Sequence, residues 1–315
     1  MMNTPTEQIS LVYILSSGRS GTTLLDLLLG AHPKVWTTGE VQLLPWELNH
    51  RKRPCGCGVP FGEDPFWQAV LSEVSVDTKG YHIGYFRNRK HVGKVLRWSH
   101  LPTLLRGTMS DRWRAAADEY GRRNKRLFRA VRSTAQKRKG PVRWLVDASK
   151  DPYRLFWLQA HPGIDLRVIH MLKDPRSFVC SAARPWLSDP GGIRKVLRFT
   201  ARWIIENAIM SRLCRTCFSD EKVRRIQYED FARRPEETMN EITDWLGLEK
   251  DGNLTQQFRD YENHAVSGNA MRWRDSDDEI RLDRRWRRQL PEAYSQFIST
   301  VTRPFLQYCG YHRST

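Results

Sequence analysis

Apolar runs of strand length alternate with amphipathic stretches of helix length along most of this chain. Ile9–Ser16 is almost wholly apolar, as a strand buried on both faces would be, and a Leu-rich helix is predicted over Thr22–Gly30. Further strands are predicted at Lys34–Thr37, Val142–Val146, Leu166–Leu172 and Val223–Gln227. Between them the pattern predicts helices over Asp151–Ala160, Pro175–Ala183, Arg194–Phe218 and Pro235–Leu246, the last closed by Gly247. On the long helix, Trp203, Ile204 and Ile205 are expected to face the core. Such alternation implies an α/β fold with a mostly parallel central sheet flanked by helices. No repeat or low-complexity tract divides the chain, and Pro185–Gly192 looks like a loop, so residues 1–315 are expected to form one domain.

The first strand and helix are joined by Ser16-Ser17-Gly18-Arg19-Ser20-Gly21-Thr22-Thr23. Small residues there let successive backbone N–H groups converge on one point, which the positive end of the helix dipole also faces. A nucleotide phosphate fits such a cradle. A Walker A loop, GxxxxGK[ST], would put glycine at Ser16 and lysine at Thr22. Arg19 is instead the loop's only cation, so the loop suits an anionic nucleotide better than Mg-ATP.

Three further anchors follow predicted strands, at the sheet edge where open α/β folds place ligands. They are Gly39-Glu40, then Asp147-Ala148-Ser149-Lys150-Asp151-Pro152, then Lys173-Asp174-Pro175-Arg176 with Ser181 farther into its helix. Singly each has an ordinary reading: Asp174-Pro175 and Ser149 could be helix starts, Lys150 and Glu40 surface charges. Their joint placement points to one site.

These motifs together resemble the sulfotransferases that use 3′-phosphoadenosine 5′-phosphosulfate (PAPS), especially the bacterial and tyrosylprotein-type members. Gly18-Arg19-Ser20-Gly21-Thr22-Thr23-Leu24 is similar to the family's 5′-phosphosulfate loop, [RK]SGTT. Ala31-His32-Pro33 through Gly39-Glu40 resembles the stretch leading to the tyrosylprotein enzymes' catalytic glutamate, and Ser149-Lys150-Asp151-Pro152 their lysine segment. Lys173 through Ser181 resembles the 3′-phosphate motif, with lysine where arginine is usual; a point charge there replaces a bidentate grip, leaving Arg184 or Arg176 to compensate. Tyr228-Glu229-Asp230-Phe231, Leu246-Gly247-Leu248 and His264–Asn269 agree with the family's C-terminal stretches.

The resemblance implies a P-loop-like fold and sulfuryl transfer from PAPS to an acceptor hydroxyl, leaving adenosine 3′,5′-bisphosphate (PAP). It casts Glu40 as general base and Arg19 and Lys150 as the catalytic cations. Gly18, Arg19, Ser20, Gly21, Thr22, Thr23, Lys173, Ser181 and Arg184 would bind the nucleotide, with Tyr228 near the adenosine. No metal is expected in the transfer. The competing readings are a P-loop kinase or NTPase, with Asp147 as its Walker B acid, and a nucleic-acid-binding protein.

Charge adds one distinctive segment. The formal net charge is +17, and residues 79–143 hold 19 Lys/Arg against three acids, so nearly all the excess lies there. The segment looks like a basic, mostly helical insertion at about 77–141. Its stripe of Trp113, Ala116, Tyr120, Leu127, Phe128 and Val131 predicts a helix around Arg112–Gln136. Such a face suits an anionic glycan, a glycolipid, an acidic peptide or a membrane surface, with Trp98, Trp113 and Phe128 as anchors, or merely solvates a helix. No nucleic-acid module accompanies it, and no specific nucleic-acid partner is expected.

No apolar run is long enough to cross a bilayer and no basic–apolar leader opens the sequence, so a cytoplasmic, at most membrane-peripheral protein is expected. Six cysteines do not suggest a disulfide framework. Cys55-x-Cys57 and Cys214-x-x-Cys217 could make a thiolate zinc site, but the first spacing is weak and no histidine is placed to help. Asp64 stands about where bacterial relatives often carry a third cysteine, a departure that counts further against a metal there. Cys214 and Cys217 are expected to sit within a helix as reduced thiols.

Overall fold

A computed structural model describes residues 8–50, 54–74, 101–187, 189, 191–252, 254–256, 258–273 and 279–311. Its strands are β1 (Ile9–Ser16), β2 (Val35–Thr37), β3 (Trp144–Asp147), β4 (Ile164–Leu172) and β5 (Val223–Gln227). They form one parallel sheet in the order β2-β3-β1-β4-β5. Its helices are α1 (Thr22–Ala31), α2 (Leu44–His50), α3 (Pro65–Glu73), α4 (Asp111–Lys139), α5 (Pro152–Leu158) and α6 (Pro175–Ala183). Then follow α7 (Gly192–Cys217), α8 (Tyr228–Arg233), α9 (Pro235–Leu246), α10 (Trp286–Gln289) and α11 (Glu292–Cys309). A further helical stretch spans 101–106.

Central β1 explains the layering. Its Ile9, Leu11, Tyr13 and Leu15 join the core made with α3, α4 and α5, while Val12 and Ile14 join α1 and α9 on the opposite face. Successive side chains of a strand point to opposite faces, so a strand between two helical layers must be apolar throughout. A third cluster packs Leu172, Phe178 and Trp203 against Ile298 and Leu306 of α11.

The basic segment's helix is part of this core. Leu127, Phe128 and Val131 of α4 are fully buried, and Lys137, Arg138 and Lys139 lie in its last turn, where cations favour the helix dipole. Three expectations are corrected. Phe128, proposed as a membrane anchor, lies in the core, and Trp113 packs 6.3 Å from Trp157; Trp98 lies outside the described residues. Ala117 rather than Ala116 is the buried alanine of the stripe. On α7, Trp203 is buried but Ile205 is 54% exposed, because two residues along a helix turn the side chain by about 200°. Among the described residues, no helix is long and apolar enough to cross a membrane.

Asp26 of α1 is buried and accepts a hydrogen bond from Thr37 Oγ1 at 3.1 Å. Burial raises its pKa from 3.8 to about 7, despite the nearby charge of Arg272. A raised folded-state pKa means stability is lost as pH climbs from the unfolded value towards 7. Asp26→Asn is therefore expected to raise Tm at about pH 8 and to change it little at about pH 4. Equal shifts at both pH values would exclude the carboxyl's charge as the cause.

Candidate active site

At the carboxyl edge of the sheet the loops after all five strands surround a cavity of about 1590 Å³. Gly18, Arg19, Gly21, Thr22 and Thr23 line it from the loop after β1; Ser20 is buried within that loop. Glu40 enters after β2, Lys150 after β3, Lys173 after β4 and Tyr228 after β5. Ser181 and Arg184, from the end of α6, line the same space. The residues assigned to sulfuryl transfer and nucleotide binding, Ser20 excepted, therefore reach one cavity.

The phosphate-loop geometry follows from its glycine. Gly21 has φ +84°, and a Cβ there would lie 2.3 Å from the ring of Tyr228, so the tyrosine sits directly on the turn. Gly21 is the N-cap of α1 and supplies no side-chain cap, and the first two residues of the helix, Thr22 and Thr23, line the cavity. Ser16 Oγ donates to Met171 O at 2.7 Å, tying the loop's start to β4.

Lys150 Nζ donates to Glu40 Oε1 at 2.7 Å, and both side chains are largely buried at 12% and 14% exposure. Backbone contacts fix the glutamate: its N–H donates to Val266 O at 2.7 Å, and the preceding Gly39 O accepts from Ala148 N at 2.8 Å. Gly39 has φ +61°, and a Cβ there would fall 2.6 Å from Val266 O, so only glycine permits this approach.

A buried network holds the lysine. Asp147 Oδ2 accepts from Arg154 Nε at 2.8 Å, and its Oδ1 accepts from Ser149 N at 2.9 Å. Arg154 Nη1 also donates to Tyr120 Oη on α4, and Tyr13 Oη donates to Asp151 O at 2.8 Å. Asp151, not Ser149, caps α5, accepting from Tyr153 N. Asp147 is fully buried and already paired, so it does not face the cavity as a Walker B acid would.

Among the described residues, the non-glycine residues with positive φ are Arg19 (69°), Lys150 (64°) and Ser267 (55°). Each such conformation costs on the order of 1–3 kcal/mol, and such strain gathers at functional sites. Two of the three are the cations already singled out.

Burial pushes the Lys173 ammonium below its ordinary pKa, with Asp283 opposing. Its Nζ lies 4.3 Å from the Tyr228 ring centroid and donates to Arg19 O at 3.4 Å. Arg176 does not join it: both its Nε and Nη2 donate to Asp174, and its guanidinium stacks on Trp286. Arg184 does line the cavity, with Nη2 donating to Gln289 Oε1 at 3.2 Å.

One wall has no counterpart in the sequence reading. Arg281, Asp283, Arg284, Arg285, Arg287 and Arg288 all line the cavity. Asp283 N donates to Tyr228 Oη at 3.4 Å, and its carboxylate pairs with Arg285 at 2.7 Å. The signal was the local run Arg284-Arg285-Trp286-Arg287-Arg288, which acids at 275–279 cancel in any regional charge count.

Comparison with known proteins agrees with this architecture. The chain is 25% identical over 181 residues to carbohydrate sulfotransferase 5 of Mus musculus, covering 50% of this chain and 44% of that protein. It is 23% identical over 180 residues to carbohydrate sulfotransferase 6 of Homo sapiens, with the same coverages. The match thus spans less than half the length of these relatives. In fold it is similar to the sulfotransferase domain from the curacin biosynthetic pathway, with a TM-score of 0.51 at 17% identity, covering 98% of this chain and 100% of that one. Residues 87–252 match the profile of the sulfotransferase family. With more than half its length matched and the parallel sheet in place, the chain belongs to the sulfotransferase family.

Proposed function

We propose that this protein transfers the sulfuryl group of PAPS to a hydroxyl of a glycan or glycolipid. The observation that carries the reading is the Glu40–Lys150 pair, set in the same cavity as the Arg19 loop and the Ser181–Arg184 corner. PAPS supplies an activated sulfuryl group bonded to a phosphate oxygen, which leaves as the acceptor oxygen attacks. Arg19 and the loop N–H groups hold the 5′-phosphosulfate; the uncapped start of α1 fits that role. Lys173, Ser181 and Arg184 hold the 3′-phosphate. Glu40 takes the acceptor proton, and Lys150 stabilises charge developing on the leaving oxygen.

Glycan is placed ahead of peptidyl tyrosine because the curated relatives are carbohydrate sulfotransferases. The exposed arginines of α4, among them Arg122, Arg126 and Arg129, suit an anionic glycan or glycolipid head group. A kinase-like reading is disfavoured because the loop has no Walker lysine and Asp147 is locked to Arg154.

Incubation with radiolabelled PAPS and a panel of oligosaccharide, glycolipid and acidic tyrosine-peptide acceptors tests the assignment. Label on carbohydrate is the expected outcome; label on peptide alone would move the acceptor class, and none would sink the reading. PAP should raise Tm more than Mg-ATP does. Ser181→Ala is expected to weaken PAP binding roughly 10- to 100-fold by calorimetry while leaving AMP binding nearly unchanged. Equal losses for the two nucleotides would remove Ser181 from the 3′-phosphate.

A further inference from the structure

We propose that Cys55, Cys57, Asp64 and His264 form a structural zinc site, outside the cavity and independent of the assignment of sulfuryl transfer. One ligand atom from each residue lies within 4.8 Å of the other three. His264 Nδ1 is 2.9 Å from Asp64 Oδ2, Cys57 Sγ is 3.3 Å from that oxygen, and Cys55 Sγ is 3.9 Å from the imidazole nitrogen. Tetrahedral zinc, with bonds of about 2.0 Å to nitrogen or oxygen and about 2.3 Å to sulfur, sets its ligand atoms roughly 3.3–3.8 Å apart. Closing the cluster on one ion thus needs only small side-chain adjustments.

The backbone is built to present these four groups together. Cys55 N donates to Val59 O at 2.7 Å and Gly58 N to Cys55 O at 2.9 Å, so both sulfurs hang from one tight turn, closed by a bridge between Pro54 and Pro60. Asp64 divides its carboxylate. Oδ1 caps α3, accepting from Phe66 N at 2.8 Å, which leaves Oδ2 for the sulfurs and the imidazole. His264 arrives from 200 residues away, which is why spacing in the sequence gives no sign of it. Its Nε2 meets Glu262 Oε1 at 2.8 Å, and Glu262 is paired with Arg138. A carboxylate on the far ring nitrogen is the arrangement that orients metal-binding histidines. The imidazole ring is also stacked 4.8 Å from Phe66.

The donor set selects the metal. Two thiolates, an imidazole and a carboxylate suit zinc; magnesium and calcium take oxygen shells, and copper(I) prefers sulfur alone. Four protein ligands leave no open position, so the ion is structural. Binding displaces the two thiol protons to solvent. Cys55 and Asp64 are fully buried, while exposed Cys57 provides the entry path.

The site also explains how Glu40 is anchored. Two residues beyond His264, Val266 accepts from Glu40 N and donates to Thr38 O at 2.9 Å. Zinc would therefore fasten the 55–64 turn and α3 to the segment that holds the glutamate's backbone.

The full chain, incubated with zinc chloride and desalted by gel filtration, should retain about one zinc per chain by elemental mass spectrometry. Cobalt substitution should give the visible bands of tetrahedral cobalt and a near-ultraviolet thiolate-to-cobalt band. Cys57→Ser, altered at the exposed ligand, should lose most of the zinc and the near-ultraviolet band while staying folded by circular dichroism. His264→Ala should lose the metal too; if it does not fold, Cys57→Ser carries the test. Chelation should lower Tm in the wild type and not in Cys57→Ser. Folded wild type that retains no zinc, zinc retention unchanged in Cys57→Ser, or a Cys55–Cys57 disulfide in metal-free protein would each overturn the proposal.

Discussion

Glu40→Gln should lower turnover by roughly 10²- to 10⁴-fold, the usual contribution of a positioned general base, while PAP affinity stays within a few-fold of the wild type. The amide keeps the carboxylate's shape and can still accept from Lys150, so the geometry of the cavity survives. What is lost is a group able to take the acceptor proton. Single-turnover rates at saturating PAPS, with calorimetric titration of PAP, separate the two effects. Undiminished turnover would remove Glu40 as the base. A parallel fall in PAP affinity would mean that the glutamate organises the nucleotide site instead.

Arg154→Met should cost about 3–5 kcal/mol and lower Tm by roughly 5–15 °C, because the carboxylate of Asp147 is left charged and buried without its partner. Asp147 and Arg154 are 0% and 1% exposed, so water offers little relief. Thermal unfolding checks the size of the loss. The double variant Asp147→Asn/Arg154→Met should recover part of it, since no isolated charge then remains. A single variant as stable as the wild type would show that the pair is not a structural support. Turnover should also fall in the single variant, because Asp147 Oδ1 holds the turn that presents Lys150.

Strands and helices flanked by strong local signals were legible in the sequence. β1, β5, α6 and α9 lie where the pattern places them, because apolar runs, Pro175 and Pro235 at helix starts and Gly247 at a helix end are local chemistry. The helices at Leu44–His50 and Glu292–Cys309 carry weaker marks, and the latter contains Pro304, which argues against a helix on propensity alone; Pro65–Glu73 opens on Asp64-Pro65, as local a start as Asp174-Pro175. Tyr228, just past the predicted strand Val223–Gln227, is the first residue of α8.

The candidate site was legible where its residues follow strands, since the fold brings every such position to one edge. What depends on distant pairing was not. The Glu262–His264 stretch meets Asp64 across the fold, the arginines at 281–288 reach the cavity from beyond the sheet, and Arg154 is an internal counter-ion rather than a surface charge. No periodicity or spacing encodes those encounters.

The sheet's middle strand comes first in the chain. Leu11 pairs with Leu145 and Ile9 with Ile164, so the ribosome must add well over a hundred residues before either neighbour of β1 exists. At about 5–20 residues per second, that nascent apolar segment stays unpaired for roughly 10–30 s. During that interval it is an exposed template for aggregation, and expression yield is expected to respond to chaperone supply and to lower growth temperature.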